Sequence, residues 1–170
     1  MKNFAAKYKT ARQNHSDNQD NNIMKRILIT DLCLIPVFLL TVFTGIRLHL
    51  AGHWGSHELW HYMATLHILA ALPFTILIFF HFKTHLGWYS SLIHNGLGHK
   101  SRVSVAVSIV FVIVAMTGYL LLAVDGAGSG LGMWHYRIGL LSMVLFGGHI
   151  IKRLPVLAKT IKGHNGSKGK

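Results

Sequence analysis

Four long apolar runs, separated by short polar or glycine-rich stretches, dominate the chain: Ile27–Leu50, Leu59–Phe82, Val103–Val124 and Met133–Leu154. Each reaches the ~20 apolar residues that cross a bilayer as a helix. Lipid offers the backbone no hydrogen-bond partners, so such runs predict helices. Short connections make sequence neighbours antiparallel. The expected fold class is therefore all-α, a transmembrane four-helix up-down bundle. Gly52 and Gly55 within Ala51–Glu58 predict a break between the first two helices, and the glycine-rich Asp125–Gly132 predicts a flexible loop. The stretch Gly87–Lys100 carries Trp88, Tyr89 and Leu92, which suit a membrane surface. Pro36 and Pro73 predict kinks in their helices. Three segments result: a polar basic stretch over 1–22, a membrane domain over 23–156 and a basic tail over 157–170. The polar first segment and the Gly/Lys residues from Gly163 predict loosely ordered ends.

Composition adds a direction. Charged residues make up 13% of the chain, against roughly 25% in ordinary globular proteins. The net charge of +12 is unevenly spread. Fifteen of the 17 Lys and Arg residues fall in 1–26, between the second and third runs, or from Lys152 onward; Arg47 and Arg137 alone stand beside the other two connections. The positive-inside rule then puts both ends and the middle connection on the cytoplasmic side. The basic surplus is topogenic, with some attraction to anionic lipid, and does not mark a nucleic-acid binder. The span of the first run is too long for a signal peptide and no small-residue cleavage site follows, so it is read as an uncleaved anchor. Cys33 is the one cysteine, which rules out a disulfide framework and a CxxCH haem attachment.

The chain holds 13 histidines. Two pairs stand apart, each with 13 intervening residues: His67 and His81 on the second run, His135 and His149 on the fourth. Fourteen helical steps fall about 40° short of four turns and rise ~21 Å, so each pair shares a helix face across most of the membrane. The second and fourth helices run parallel in an up-down bundle. His67 then matches His135 in depth toward the outer side, and His81 matches His149 toward the cytoplasm. Two imidazoles on facing helices can clamp one haem iron, and the doubled spacing gives two such sites. Any one of these histidines alone would read equally well as a hydrogen-bonded packing residue. Gly45 and Gly118 sit on the first and third runs at outer depth, where a missing side chain lets a macrocycle approach the backbone. Fourteen residues earlier stand Asp31 and Ser104, also small. A weak internal repeat joins the halves: Thr44-Gly45 closes the first run as Thr117-Gly118 closes the third, and Trp60-His61-Tyr62 opens the second as Trp134-His135-Tyr136 opens the fourth.

With two His-x13-His pairs on alternate helices, residues 27–155 resemble the four-helix dihaem core of the respiratory cytochromes b and of the small cytochrome b subunits that anchor membrane dehydrogenases. The resemblance implies that His67, His81, His135 and His149 are axial ligands of two non-covalent haems b. It also implies electron transfer between a quinone and partner subunits of a larger complex, in a bacterial inner membrane. The inner glycine positions depart from that pattern, being Asp31 and Ser104, and the further helices and quinol motif of the large cytochromes b are absent. Arg47 and Arg137 are candidate partners of outer haem propionates. His85, one turn past His81, is an alternative inner ligand, and with Lys83 and Trp88 the best candidate for an inner quinone contact.

One motif points elsewhere. His57-Glu58-Leu59-Trp60-His61 matches HExxH, which on a helix sets two imidazoles and a Glu base together as in zinc proteases. Such a centre also needs a third ligand and an open water position. His49 and His53 are the candidates for that ligand. The alternative function is thus a non-redox membrane metal-binding protein or zinc metalloprotease.

Overall fold

A computed structural model describes residues 2–96, 102–124 and 129–167. It contains helices α1 (Lys2–Trp54), α2 (His57–Thr84), α3 (Leu86–Asn95), α4 (Arg102–Ala123) and α5 (Gly130–Ser167), with no strand among the described residues. Four of these hold segments long and apolar enough to cross a membrane: Asn22–Trp54, His57–Thr84, Arg102–Ala123 and Gly130–Thr160. The chain is an all-α transmembrane four-helix bundle, a multi-pass membrane protein. Large apolar side chains such as Phe43, Phe79, Val144 and Ile151 stand exposed on its flanks, as lipid contact requires.

The ends differ from expectation. Residues from Lys2 onward are helical and continuous with α1, and α5 carries on to Ser167. Nucleating a helix is costly, but extending one adds a hydrogen bond for each residue fixed, so a stable span propagates into a polar flank. Gly130 to Gly132, expected in a loop, open α5, while residues 125–128 of that loop lie outside the described residues. Thr44-Gly45 and Thr117-Gly118 lie inside their helices, since α1 continues to Trp54 and α4 to Ala123. Helices α1 and α2 run unbroken through Pro36 and Pro73.

The break between α1 and α2 falls where glycine predicted it. A Cβ on Gly55 would lie 2.7 Å from the Ala51 carbonyl oxygen, so only glycine fits. Ser56 then caps α2, its hydroxyl accepting from the Leu59 amide at 3.2 Å. At the other end α3 stops at Gly96, whose φ of +76° an L side chain rarely adopts.

Helix α1 packs on α2, α4 on α5, and α1 on α5. This order puts α2 and α5 diagonally across the bundle. A hydrogen bond from Thr41 Oγ1 to the Ala70 carbonyl, 3.2 Å, ties α1 to α2; interhelical bonds of this kind contribute about 0.6 kcal/mol each. At mid-depth each spanning helix sends one phenylalanine inward: Phe38, Phe74, Phe111 and Phe146. Their ring centroids lie 5.9 to 6.4 Å apart, the spacing of tilted and edge-to-face aromatic pairs. This layer divides the interior into a loop end, near the α1–α2 turn, and a terminal end, near α3 and the chain ends.

Candidate cofactor sites at two depths

The loop end brings His67 of α2 and His135 of α5 together, with ring centroids 6.3 Å apart. The same device holds each ring. Thr44 Oγ1 lies 2.9 Å from the Leu40 carbonyl and 3.1 Å from the Thr41 carbonyl, and 3.2 Å from His67 Nδ1. Thr117 Oγ1 lies 3.0 Å from the Ile113 and Val114 carbonyls, and 3.0 Å from His135 Nδ1. Each threonine has one proton, directed at its own helix, so its oxygen accepts from the histidine Nδ1–H. Both imidazoles are thereby held as the tautomer that leaves Nε2 with a free lone pair, the form that ligates metal.

The neighbouring glycines make the space. A Cβ on Gly45 would come 3.0 Å from His67 Cε1, and one on Gly118 3.0 Å from His135 Cε1. The expected role of these glycines changes accordingly: the imidazole itself occupies the gap, because the preceding threonine draws the ring against the helix. Two metal–nitrogen bonds of about 2 Å, together with the inner halves of two imidazoles, span about 6 Å. A single metal atom bonded to both rings fits the observed separation. The diagonal placement of α2 and α5 also keeps their backbones apart while these two side chains meet.

The terminal end holds a cavity of about 480 Å³, within the range of cofactor pockets. Asp31, His81, Ser104 and His149 line it, with the phenylalanine layer as its floor. His81 Nδ1 donates to Asp31 Oδ1 at 2.8 Å, which again leaves Nε2 as the free nitrogen. Asp31 therefore acts through its carboxylate and not merely through its small size. His85 also lines the cavity, its ring centroid 4.7 Å from that of His81. Burial, reinforced by His81, pushes the His85 imidazole below its usual range. Trp88 lines the same cavity; Lys83 does not, and is exposed. Among the described residues, Asp31, His81 and His85 form the one group of three whose ligand atoms lie within 4.8 Å of one another.

The remaining candidates are scattered. Arg47 and Arg137 are both exposed at the loop end, with the Arg137 guanidinium 5.9 Å over the Trp134 ring. In the HExxH motif, the His57 and His61 rings are 4.4 Å apart, but among the described residues no third ligand gathers with them. His49 stacks on Tyr136 at 3.6 Å and meets His53, and among the described residues neither forms a group of three ligands with His57 and His61. Glu58 sits in the first turn of α2, where a carboxylate complements the helix dipole.

The threonine–histidine contacts and the phenylalanine layer are features of the candidate sites that the sequence does not announce. One signal was present for the layer: Phe38, Phe74 and Phe111 each fall seven residues from both site positions on their helix. The internal repeat is imperfect: it aligns His61 with His135, whereas the ring that meets His135 is that of His67. Helix α1 runs nine residues past Gly45 before turning and α4 only five past Gly118, so His67 takes that place. Comparison with protein-family models, with curated proteins and with solved structures gave no match to this chain.

Proposed function

We propose that this chain is a dihaem membrane cytochrome b that carries electrons across the membrane between a quinone and redox partner subunits. One observation carries the reading: histidines at two depths on diagonal helices, with three of the four rings held through Nδ1 so that Nε2 is free. His67 and His135 would hold one haem b, and His81 and His149 the other. When bound, bis-histidine haem supplies a one-electron iron centre with no open position for oxygen or substrate. Thr44, Thr117 and Asp31 orient the ligands, and Gly45 and Gly118 admit them. Arg47 and Arg137 supply the positive charge that propionates at the loop end would need, and His85 with Trp88 offers polar and aromatic contact to a quinone head.

Acid-acetone extraction and pyridine haemochrome assay of the purified protein should find about two extractable haems b per chain, with sharp low-spin bands in the reduced-minus-oxidised spectrum. One haem, none, or haem that stays with the polypeptide would refute the ligand scheme. The 15-to-2 distribution of Lys and Arg supports cytoplasmic ends in an inner membrane. Topology reporters fused at Lys170 and at Gly128 should therefore read opposite sides, with Lys170 cytoplasmic.

A second reading rests on the Asp31–His81–His85 group. Two imidazoles and a carboxylate suit a zinc-like divalent ion. About one tightly bound zinc per chain, in protein that takes up no haem, would favour it.

A further inference from the structure

The two ends of the bundle hold their histidines through different partners. At the loop end both acceptors are threonine hydroxyls, neutral groups whose own protons are committed to helix carbonyls. At the terminal end the acceptor on His81 is the Asp31 carboxylate, at a distance of 2.8 Å. The contact joins α1 to α2 and faces the cavity that His149 also lines.

A carboxylate that accepts a ligand histidine's proton raises the basicity of that ligand. The opposite ring nitrogen then donates more electron density to a metal and stabilises its oxidised state. The negative charge itself acts in the same direction. Both effects are absent from the threonine-held pair. Arg153 lines the cavity as well, and its positive charge opposes part of the effect. The hydrogen bond acts directly through the ligand, whereas a charge on the cavity wall acts through space and is partly screened.

We propose that Asp31 is a positioning residue that sets the reduction potential of the His81–His149 centre below that of the His67–His135 centre. The inference rests on the dihaem reading. It makes the terminal end the low-potential end, so electrons entering there run downhill toward the loop end.

The test is a potentiometric titration of the haem-loaded full chain in detergent, followed by visible and low-spin EPR spectra. The centre lost in His149→Ala identifies the terminal-end haem. In the unmodified protein that centre should have the lower midpoint, an ordering read without touching Asp31. Asp31→Asn should raise its midpoint and change its EPR g-values, with the other centre unmoved; Asp31→Glu should keep the midpoint low. A reversed ordering, or an Asp31→Asn protein with two haems and an unchanged midpoint, overturns the inference and leaves the dihaem reading standing. A chain that binds no haem overturns both.

Discussion

Alanine at His81 and alanine at His149 are expected to abolish one and the same haem, and alanine at His67 and at His135 the other. Residues ~21 Å apart along a helix cannot share an iron, while residues at matched depth on diagonal helices can. Loss of one axial imidazole opens a coordination position, so the affected centre turns high-spin or dissociates, and the low-spin signal falls by about half. Double variants within a pair should resemble the single ones, because both act on one site. Redox titration with EPR of the four single and two double variants checks the scheme. It fails if His67→Ala and His81→Ala perturb the same centre. If His81→Ala is silent and His85→Ala abolishes the terminal-end signal, the ligand on α2 is His85.

In the dihaem reading, valine at Gly118 or Gly45 should weaken haem binding at the loop-end site while both ligand histidines remain in the chain. Even a methyl group there would stand 3.0 Å from the histidine ring, so the ring must yield by a few tenths of an ångström. Branched side chains demand more and drive the ring off its threonine. Overpacking of this kind costs about 1–3 kcal/mol. That amounts to a loss of about 5- to 150-fold in haem affinity at that site. The terminal-end centre, beyond the phenylalanine layer, keeps its spectrum, and alanine at either glycine gives a weaker form of the same defect. Haem titration into the stripped protein, read at the two resolved bands, measures both. Equal weakening at the two ends would mean that these glycines serve general helix packing instead.

The four spans were legible because a bilayer imposes a minimum length on any apolar helix, and Ile27–Leu50 or Val103–Val124 meets it by composition alone. The histidine faces were legible because helical geometry is periodic, so His67 and His81 announce a shared side by spacing. What stayed hidden lay between helices. Thr44 meets His67 across 23 residues and Thr117 meets His135 across 18, while Asp31 meets His81 across 50. No fixed spacing encodes such contacts; they depend on turn length and on how far each helix runs before turning. Asp31 illustrates the cost, since beside Ser104 its size was the readable property and its charge is what the fold uses. The helical continuation through residues 2–22 was hidden for another reason: composition reports the preference of a segment standing alone, whereas this one is joined to a helix already formed.

In the dihaem reading, the ring of Phe38, Phe74, Phe111 and Phe146 bears on energy conservation. Four phenyl groups in van der Waals contact offer no hydrogen-bond donors or acceptors, and a proton relay needs an unbroken series of them. In the dihaem reading, an electron hops this partition between the two centres while protons are held to whichever side they started on. The layer then works as a dielectric between two plates, and each crossing is electrogenic. Full passage of one elementary charge through the membrane is worth about 2.3 kcal/mol per 100 mV. The rate of haem-to-haem transfer would accordingly slow or quicken with membrane voltage. A polar side chain at Phe74 or Phe111 would invite water into the partition and short-circuit it, dissipating voltage while leaving both haems in place.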